Sequence, residues 1–253
     1  MPSTSLCRFR SSLFLSAALL GLLHLAPAHA QTVTSTAEVP APGQLLLEVD
    51  GVRERSGPER VTLVPYEFKL GITKDWGAYL GGDSYVSLRD GTGNTTRGGG
   101  DTTVGVRRIW QLDDDSANGI HVEARLPTAA RGLGTEKTDY SLIGLVTRRY
   151  GRLSMDLNAY GTRFGATDPA ISRNRYGAAA AFGLLVAKRL TLIAEVSGRH
   201  QRGIEGGRQL LYELEYAPVE NVTIEAGASR ADRPHPGNTT YFLALTVPIA
   251  KLW

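Results

Sequence analysis

The stretch GIHVEARLP, residues 119–127, decides the fold. Ile120, Val122, Ala124 and Leu126 alternate with His121, Glu123 and Arg125. A strand sends successive side chains to opposite faces, so one face here is apolar and the other ionic. The same period-2 pattern returns along the chain. In 153–160 Leu153, Met155, Leu157 and Ala159 oppose Ser154, Asp156, Asn158 and Tyr160. In 209–216 Leu210, Tyr212, Leu214 and Tyr216 oppose Gln209, Glu213 and Glu215. WGAYLGGDSYVSL (76–88) places Trp76, Ala78, Leu80, Val86 and Leu88 on one face and Tyr79, Asp83 and Tyr85 on the other. Residues 190–199 and 222–229 repeat the scheme.

The pattern predicts twelve strands, at 44–53, 59–70, 76–88, 101–112, 119–127, 138–150, 153–163, 174–187, 190–202, 208–217, 221–230 and 239–253. Most are long enough to cross a bilayer when tilted, which takes about 9–11 residues, whereas the mean soluble strand has about five or six. The connections Thr73-Lys74-Asp75, Gly151-Arg152, Lys188-Arg189 and Pro218-Val219-Glu220 are short, and the charged turn DDDSANG (113–119), with Asn118-Gly119, is a little longer. Residues 89–100, 128–137, 164–173, 203–207 and 231–238 read as the longer loops of the opposite end. Outer-membrane barrels have short periplasmic turns and longer outer loops. All three tryptophans fall at the short-turn rim, with Tyr150 and Tyr216, while Tyr140, Tyr176 and Tyr241 fall at the other. Two aromatic girdles are expected where a barrel wall meets the two interfaces. A soluble lipocalin-like barrel or sandwich also alternates, but it needs neither long strands nor paired aromatic bands. The reading is therefore all-β, an antiparallel up-and-down transmembrane barrel over 44–253.

Three segments resist the pattern. Pro65 removes a ladder donor and calls for a bulge. LIGLVTRR (142–149) is apolar on both faces, and Pro248 and Lys251 interrupt the last strand.

Residues 1–30 combine Arg8 and Arg10, an apolar run and Ala28-His29-Ala30, the order of a cleaved secretory signal peptide. Cys7, the one cysteine, lies before the apolar run, so no disulfide is expected. Without Arg8 and Arg10 the 28 basic residues fall to 26 against 25 acidic, a net charge of +1, with no basic block for nucleic acid. The expected location is the outer membrane of a Gram-negative bacterium, with outer-membrane lipid around the wall. The final strand ending at Trp253 is the expected handle for the barrel-assembly machinery. The polar arm at 31–43 is expected to hang loosely in the periplasm, with entry into the lumen as a plug the alternative.

The segments VPYEFKLGITKDWGAYLGGDSYV (64–86), GGGDTTVGVRR (98–108), LPTAARGLGTEKTDYSL (126–142) and LALTVPIA (243–250) resemble, in that order, the MetA-pathway of phenol degradation family of outer-membrane transporters. The resemblance spans about residues 60–250 and rests on long motifs. It implies a barrel and uptake of a small organic compound, aromatic ones included; it carries over no binding residues.

Chemical motifs are sparse. GTGNTTRGGGD (91–101) lacks the GK[ST] ending of a phosphate loop and reads as an outer loop. Aligning Asp114 with the first position of a calcium loop puts Arg125 where a glutamate is required. His121, His200 and His235 are scattered, without metal-ligand spacing. A lipid-hydrolysing barrel would need a serine beside a base; Ser197 and His200 are the nearest candidates and form no clear pair. No catalytic residue, metal or cofactor is assigned. The inward set is Glu67, Lys69, Tyr79, Asp83, Tyr85, Arg107, His121, Glu123, Arg125, Asp156, Asn158, Tyr160, Glu195, Arg199, Glu213, Glu215 and Glu225. Twelve strands give a narrow bore, and these charges would set the selectivity of a passive channel or, in a structural or adhesive barrel, satisfy one another.

The loop asymmetry fixes the orientation. Cysteines replacing Thr95 and Pro234 should react with an impermeant maleimide on intact cells, and one replacing Lys188 only after the outer membrane is opened. The reverse labelling would invert the topology.

Overall fold

The computed structural model describes residues 33–232 and 238–253. The expected signal peptide, with Cys7, and His235 and Pro234 lie outside these residues. The strands are β1 (Gln44–Ser56), β2 (Glu59–Gly71), β3 (Trp76–Arg89), β4 (Thr95–Gly98), β5 (Thr102–Asp113), β6 (Ser116–Leu126), β7 (Asp139–Tyr150), β8 (Leu153–Arg163), β9 (Asn174–Ala187), β10 (Leu190–Gln201), β11 (Ile204–Val219), β12 (Val222–Ala231) and β13 (Asn238–Lys251). Each pairs antiparallel with its neighbours, and β1 pairs with both β2 and β13, so twelve strands close into a barrel. The short β4 is the exception. It folds back as a hairpin on the outer end of β3, leaving β5 to pair with only the Trp76–Gly82 half.

The alternation of GIHVEARLP is realised in β6. His121 and Glu123 are buried in the lumen while Ile120 and Val122 stand out on the wall. Lipid-facing Leu192, Val196, Leu210, Leu214, Leu243 and Leu245 are similarly exposed. Both girdles are present. Tyr140, Tyr176 and Tyr241 ring the outer rim, and Trp76, Trp110, Tyr150, Tyr216 and Trp253 the periplasmic one. The Arg108 guanidinium lies 5.3 Å from the Trp76 ring and 5.1 Å from the Trp110 ring. Cation–π contacts at the interface offset its exposure to the apolar edge of the bilayer.

Pro65 behaves as expected. The register slips between Val64 and Pro65, and Ser84, the extra residue in β3, donates its hydroxyl to Val64 O at 2.8 Å. One inserted residue inverts the parity of everything beyond it. Tyr79 faces the lumen, but Tyr85, expected there, is on the outer wall, and Val86, expected on the wall, is buried inside. Pro248 sits at a second slip, where Leu45 and Leu46 pair with Ala250 and Pro248 and Ile249 is passed over.

Two connections are tighter than expected. DDDSANG turns at Asp114-Asp115, because the strand resumes at Ser116; Asn118-Gly119 lies inside β6 opposite Trp110 and Ile109. The presumed outer loop 203–207 is a turn at Arg202-Gly203, with Ile204–Gly207 already in β11. Gly203 has φ +89°, which supplies the left-handed residue that a tight turn needs. The five connections at the Trp rim remain short, and the long loops all lie at the other end.

The wall register can be tested on β10. Leu192→Arg should impair folding into bilayers, by less than the about 2–4 kcal/mol of the midplane because Leu192 lies two residues from the Leu190–Tyr216 pair at the rim. Thr191→Arg, whose side chain enters the lumen, should be much better tolerated. Equal damage at both positions in a urea-folding titration would contradict the register.

Candidate functional site: a lumen crossed by the N-terminal arm

The arm is inside the barrel. At Gly43 it is tied to the periplasmic rim, donating its N–H to Gly71 O and accepting from Leu252 N, both at 2.8 Å. From there it climbs diagonally over β3, β5, β7, β8 and β10. The Arg107 guanidinium donates to Thr36 O at 3.0 Å and Glu38 O at 3.2 Å. Arg149 pairs with the Glu38 carboxylate. Ala37 N–H donates to Thr147 Oγ1 at 2.8 Å. The Asn158 amide grips Ser35 as another strand would, accepting from its N–H at 2.6 Å and donating to its carbonyl at 2.9 Å. The Glu195 carboxylate accepts from Val33 N at 3.1 Å, from Thr34 N at 2.9 Å and from the Thr34 hydroxyl. These lumen side chains therefore supply the partners that buried peptide groups require.

The arm also explains LIGLVTRR. Leu145 and Ile143 point into the lumen, where Ala37, completely buried, packs against Leu145 and Ala117. The apolar inner face of β7 is the seat of the arm. A second apolar cluster of Val52, Leu211, Phe242 and Leu63 fills the bore on the opposite side.

His121, Arg107 and Tyr79 form one unit. Arg107 lies 4.6 Å over the Tyr79 ring, and Tyr79 and His121 have ring centroids 4.9 Å apart. His121 Nδ1 is 3.1 Å from Arg107 Nη2; a guanidinium only donates, so Nδ1 accepts and the ring proton sits on Nε2. Small residues make room for large ones in the lumen. A Cβ on Gly105 would lie 2.5 Å from His121 Nε2, and one on Gly177 2.3 Å from the Tyr160 hydroxyl.

The arm divides the lumen into two cavities. The outer one, about 120 Å³, is bounded by Val33 and Ser35 of the arm and by His121, Glu123, Ile143, Asn158, Tyr160, Arg175 and Arg199. The inner one, about 400 Å³, is bounded by the other side of the arm and by Glu48, Glu67, Lys69, Tyr79, Arg107, Asp156, Glu213, Glu215 and Glu225. The remaining members of the inward set lie elsewhere. Glu195 sits between the cavities, holding the arm. Arg125 is at the outer mouth, where its Nε is 3.4 Å from Asp101. Asp101 in turn accepts from the N–H groups of Thr128, Ala129 and Thr135, so Arg125 helps to anchor the β6–β7 loop. Asp83 lies at the same mouth and receives Gly100 N–H on its carbonyl. His200 is exposed on the wall and Ser197 is buried in the lumen, so the serine and histidine of β10 lie on opposite faces.

Sequence reasoning missed Arg175, which donates to Gln201 Oε1 at 3.0 Å and stacks 4.6 Å over Phe164. Its strand reads NRYGAAAA, and a run of small residues carries no parity signal. Glu48 was missed although Leu47-Glu48-Val49-Asp50 alternates, because the three leucines before it declare no face.

No protein-family model matches the chain, and no curated protein matches it. Solved structures do match in fold. The COG4313 outer membrane channel from Pseudomonas putida F1 superposes with a TM-score of 0.65 at 12% identity, covering 89% of this chain and 100% of that one. The NanC porin gives 0.63 at 12% identity, covering 80% and 100%. The P. putida toluene transporter TodX gives 0.50 at 11% identity, covering 90% and 99%. At these identities the likeness is one of fold, a barrel of the outer-membrane type, and the twelve-stranded closure is read from this chain itself.

The hold on the arm can be read by hydrogen exchange. Glu195→Ala leaves the buried N–H of Thr34 without its acceptor, at about 1–3 kcal/mol, and the part-buried N–H of Val33 as well. Amides of residues 33–37 should lose protection in this variant while strand amides keep theirs. Unchanged arm protection would show that Glu195 does not hold it.

Proposed function

We propose that the chain is an outer-membrane channel for small organic solutes, set in the membrane by the wall and girdles described above, with the N-terminal arm as its constriction. The observation that carries this reading is the thinness of the barrier. Ser35 lines both cavities, so a single extended strand of chain separates them. That strand is held mainly by hydrogen bonds to individual side chains, which can be exchanged for water, and by one small apolar contact at Ala37. Space that a solute could enter lies on either side, about 400 Å³ in the inner cavity, within the usual 300–1000 Å³ range for a small-molecule site, and about 120 Å³ in the outer one. The outer cavity mixes Tyr160 and Ile143 with Arg175 and Arg199, surfaces suited to an aromatic or other apolar body bearing a polar group. This agrees with the uptake that the MetA-pathway resemblance implies and with the toluene transporter among the fold neighbours. We further infer that β13, ending in the exposed Trp253, is the segment presented to the barrel-assembly machinery.

A structural barrel is the second reading, favoured by the apolar cluster around Leu211 that fills one side of the bore. Planar-bilayer recording separates the two. The full chain should give small conductance steps, and a variant lacking residues 33–40 steps several-fold larger. Liposomes carrying the trimmed variant should take up small phenolic compounds faster than those carrying the full chain. A trimmed barrel that folds but passes neither ions nor phenols would leave the structural reading standing.

A further inference from the structure

The inner cavity has more carboxylates than cations to meet them. Lys69 is taken up by Glu48, at 2.5 Å, and Glu67, at 3.5 Å. Arg149 serves Glu38, and Arg107 is spent on arm carbonyls and His121. None of these cations bonds to Glu213, Glu215 or Glu225. Glu215 and Glu225 sit directly opposite each other on β11 and β12, an arrangement that destabilises a sheet when both are charged. Glu213, two residues along on the same lumen face, is only 6% exposed, and its Oε2 has no hydrogen-bond partner. A buried carboxylate oxygen without a partner costs free energy that a bound cation would offset.

We propose that this inner cavity is a binding site for a small linear diamine or polyamine, with one ammonium group at Glu213 and another at the Glu215–Glu225 pair. Residues two apart on a strand stand about 7 Å apart, a separation that a short methylene chain spans. Ile193, which pairs with Glu213 across β10 and β11 and lines the cavity, offers that chain an apolar surface. Among the described residues no group of three His, Cys, Asp or Glu side chains is placed to hold a metal ion. The cavity, at about 400 Å³, is also much larger than a bare ion. The assignment deepens the channel reading, on which the ligand's route of entry rests, but occupancy is measurable without conductance.

The test is calorimetric titration of 1,4-diaminobutane into the full chain folded in detergent, with 1,4-butanediol as the neutral analogue. The diamine should bind saturably, raise the thermal midpoint and lose its effect as salt screens the charges; the diol should do neither. Glu213→Gln with Glu225→Gln should weaken binding roughly tenfold or more. Glu136→Gln, in an exposed outer loop, should leave it unchanged. Folding of each variant is checked by heat-modifiable migration. If the double variant does not fold, Glu225→Gln alone should still weaken binding several-fold. No saturable diamine binding, or equal binding by the Gln variants, overturns the site. A protein that conducts without binding diamine loses this site and keeps the channel reading. One that binds diamine without conducting keeps the site and loses the channel.

Discussion

The hydrocarbon core of a membrane offers no water to an unpaired N–H or C=O, so a spanning sheet must have no edge. In this chain the condition is met at the seam between β1 and β13, where the first and last strands pair from Gln44–Lys251 to Arg55–Thr239. The other features follow from that closure. Once the ladder is continuous, each side chain has two possible environments, lipid or lumen, and the charge of the residue chooses between them. The irregularities are absorbed locally. Pro65 and Pro248 each lack a donor, and each sits at a slip that accommodates the loss without opening the wall.

Most of the wall was legible in the sequence because a charge on the wrong face is heavily penalised, which leaves a clean period of two. His121, Glu123, Glu195, Glu213 and Glu225 could be assigned to the lumen from this alone. The failures fall where the penalty is weak or the count is broken. Tyr85 lies beyond a bulge whose position Pro65 announced, but the identity of the inserted residue, Ser84, was hidden on the neighbouring strand. Tyrosine is tolerated on either face near the rim, so its own chemistry could not correct the error. Arg175 lies in a strand of glycines and alanines, where neither face declares itself. The ends of turns at Asp114-Asp115 and Arg202-Gly203 were misplaced because glycine and asparagine, the usual signs of a turn, here continue into strands.

The contents of the lumen were much less legible. Nothing in QTVTSTAEVPAPG announces a partner, since small polar residues suit a loose linker equally well. The clue lay in β7, whose inner face carries Ile143 and Leu145 between the ionic inner faces of β6 and β8. An apolar lumen face must be covered, and Ala37 covers it. An anomaly in a wall can thus report on a segment a hundred residues away.

The arm is gripped by its main chain. Asn158 and Glu195 bond to peptide groups of Ser35, Thr34 and Val33, and Thr147 to that of Ala37, groups that every residue except proline presents alike. Arm side chains add the Glu38–Arg149 ion pair, the Thr34 hydroxyl and the Ala37 contact, but the height at which the arm crosses depends on the count of residues between Gly43 and Thr34. Those nine steps reach at most about 30 Å when extended, and crossing the bore consumes part of that reach, so Thr34 meets β10 partway up, at Glu195. The level at which the arm crosses the bore is therefore set by a tether, and a longer or shorter stretch between Gly43 and Thr34 would raise or lower it while every wall residue stayed in place.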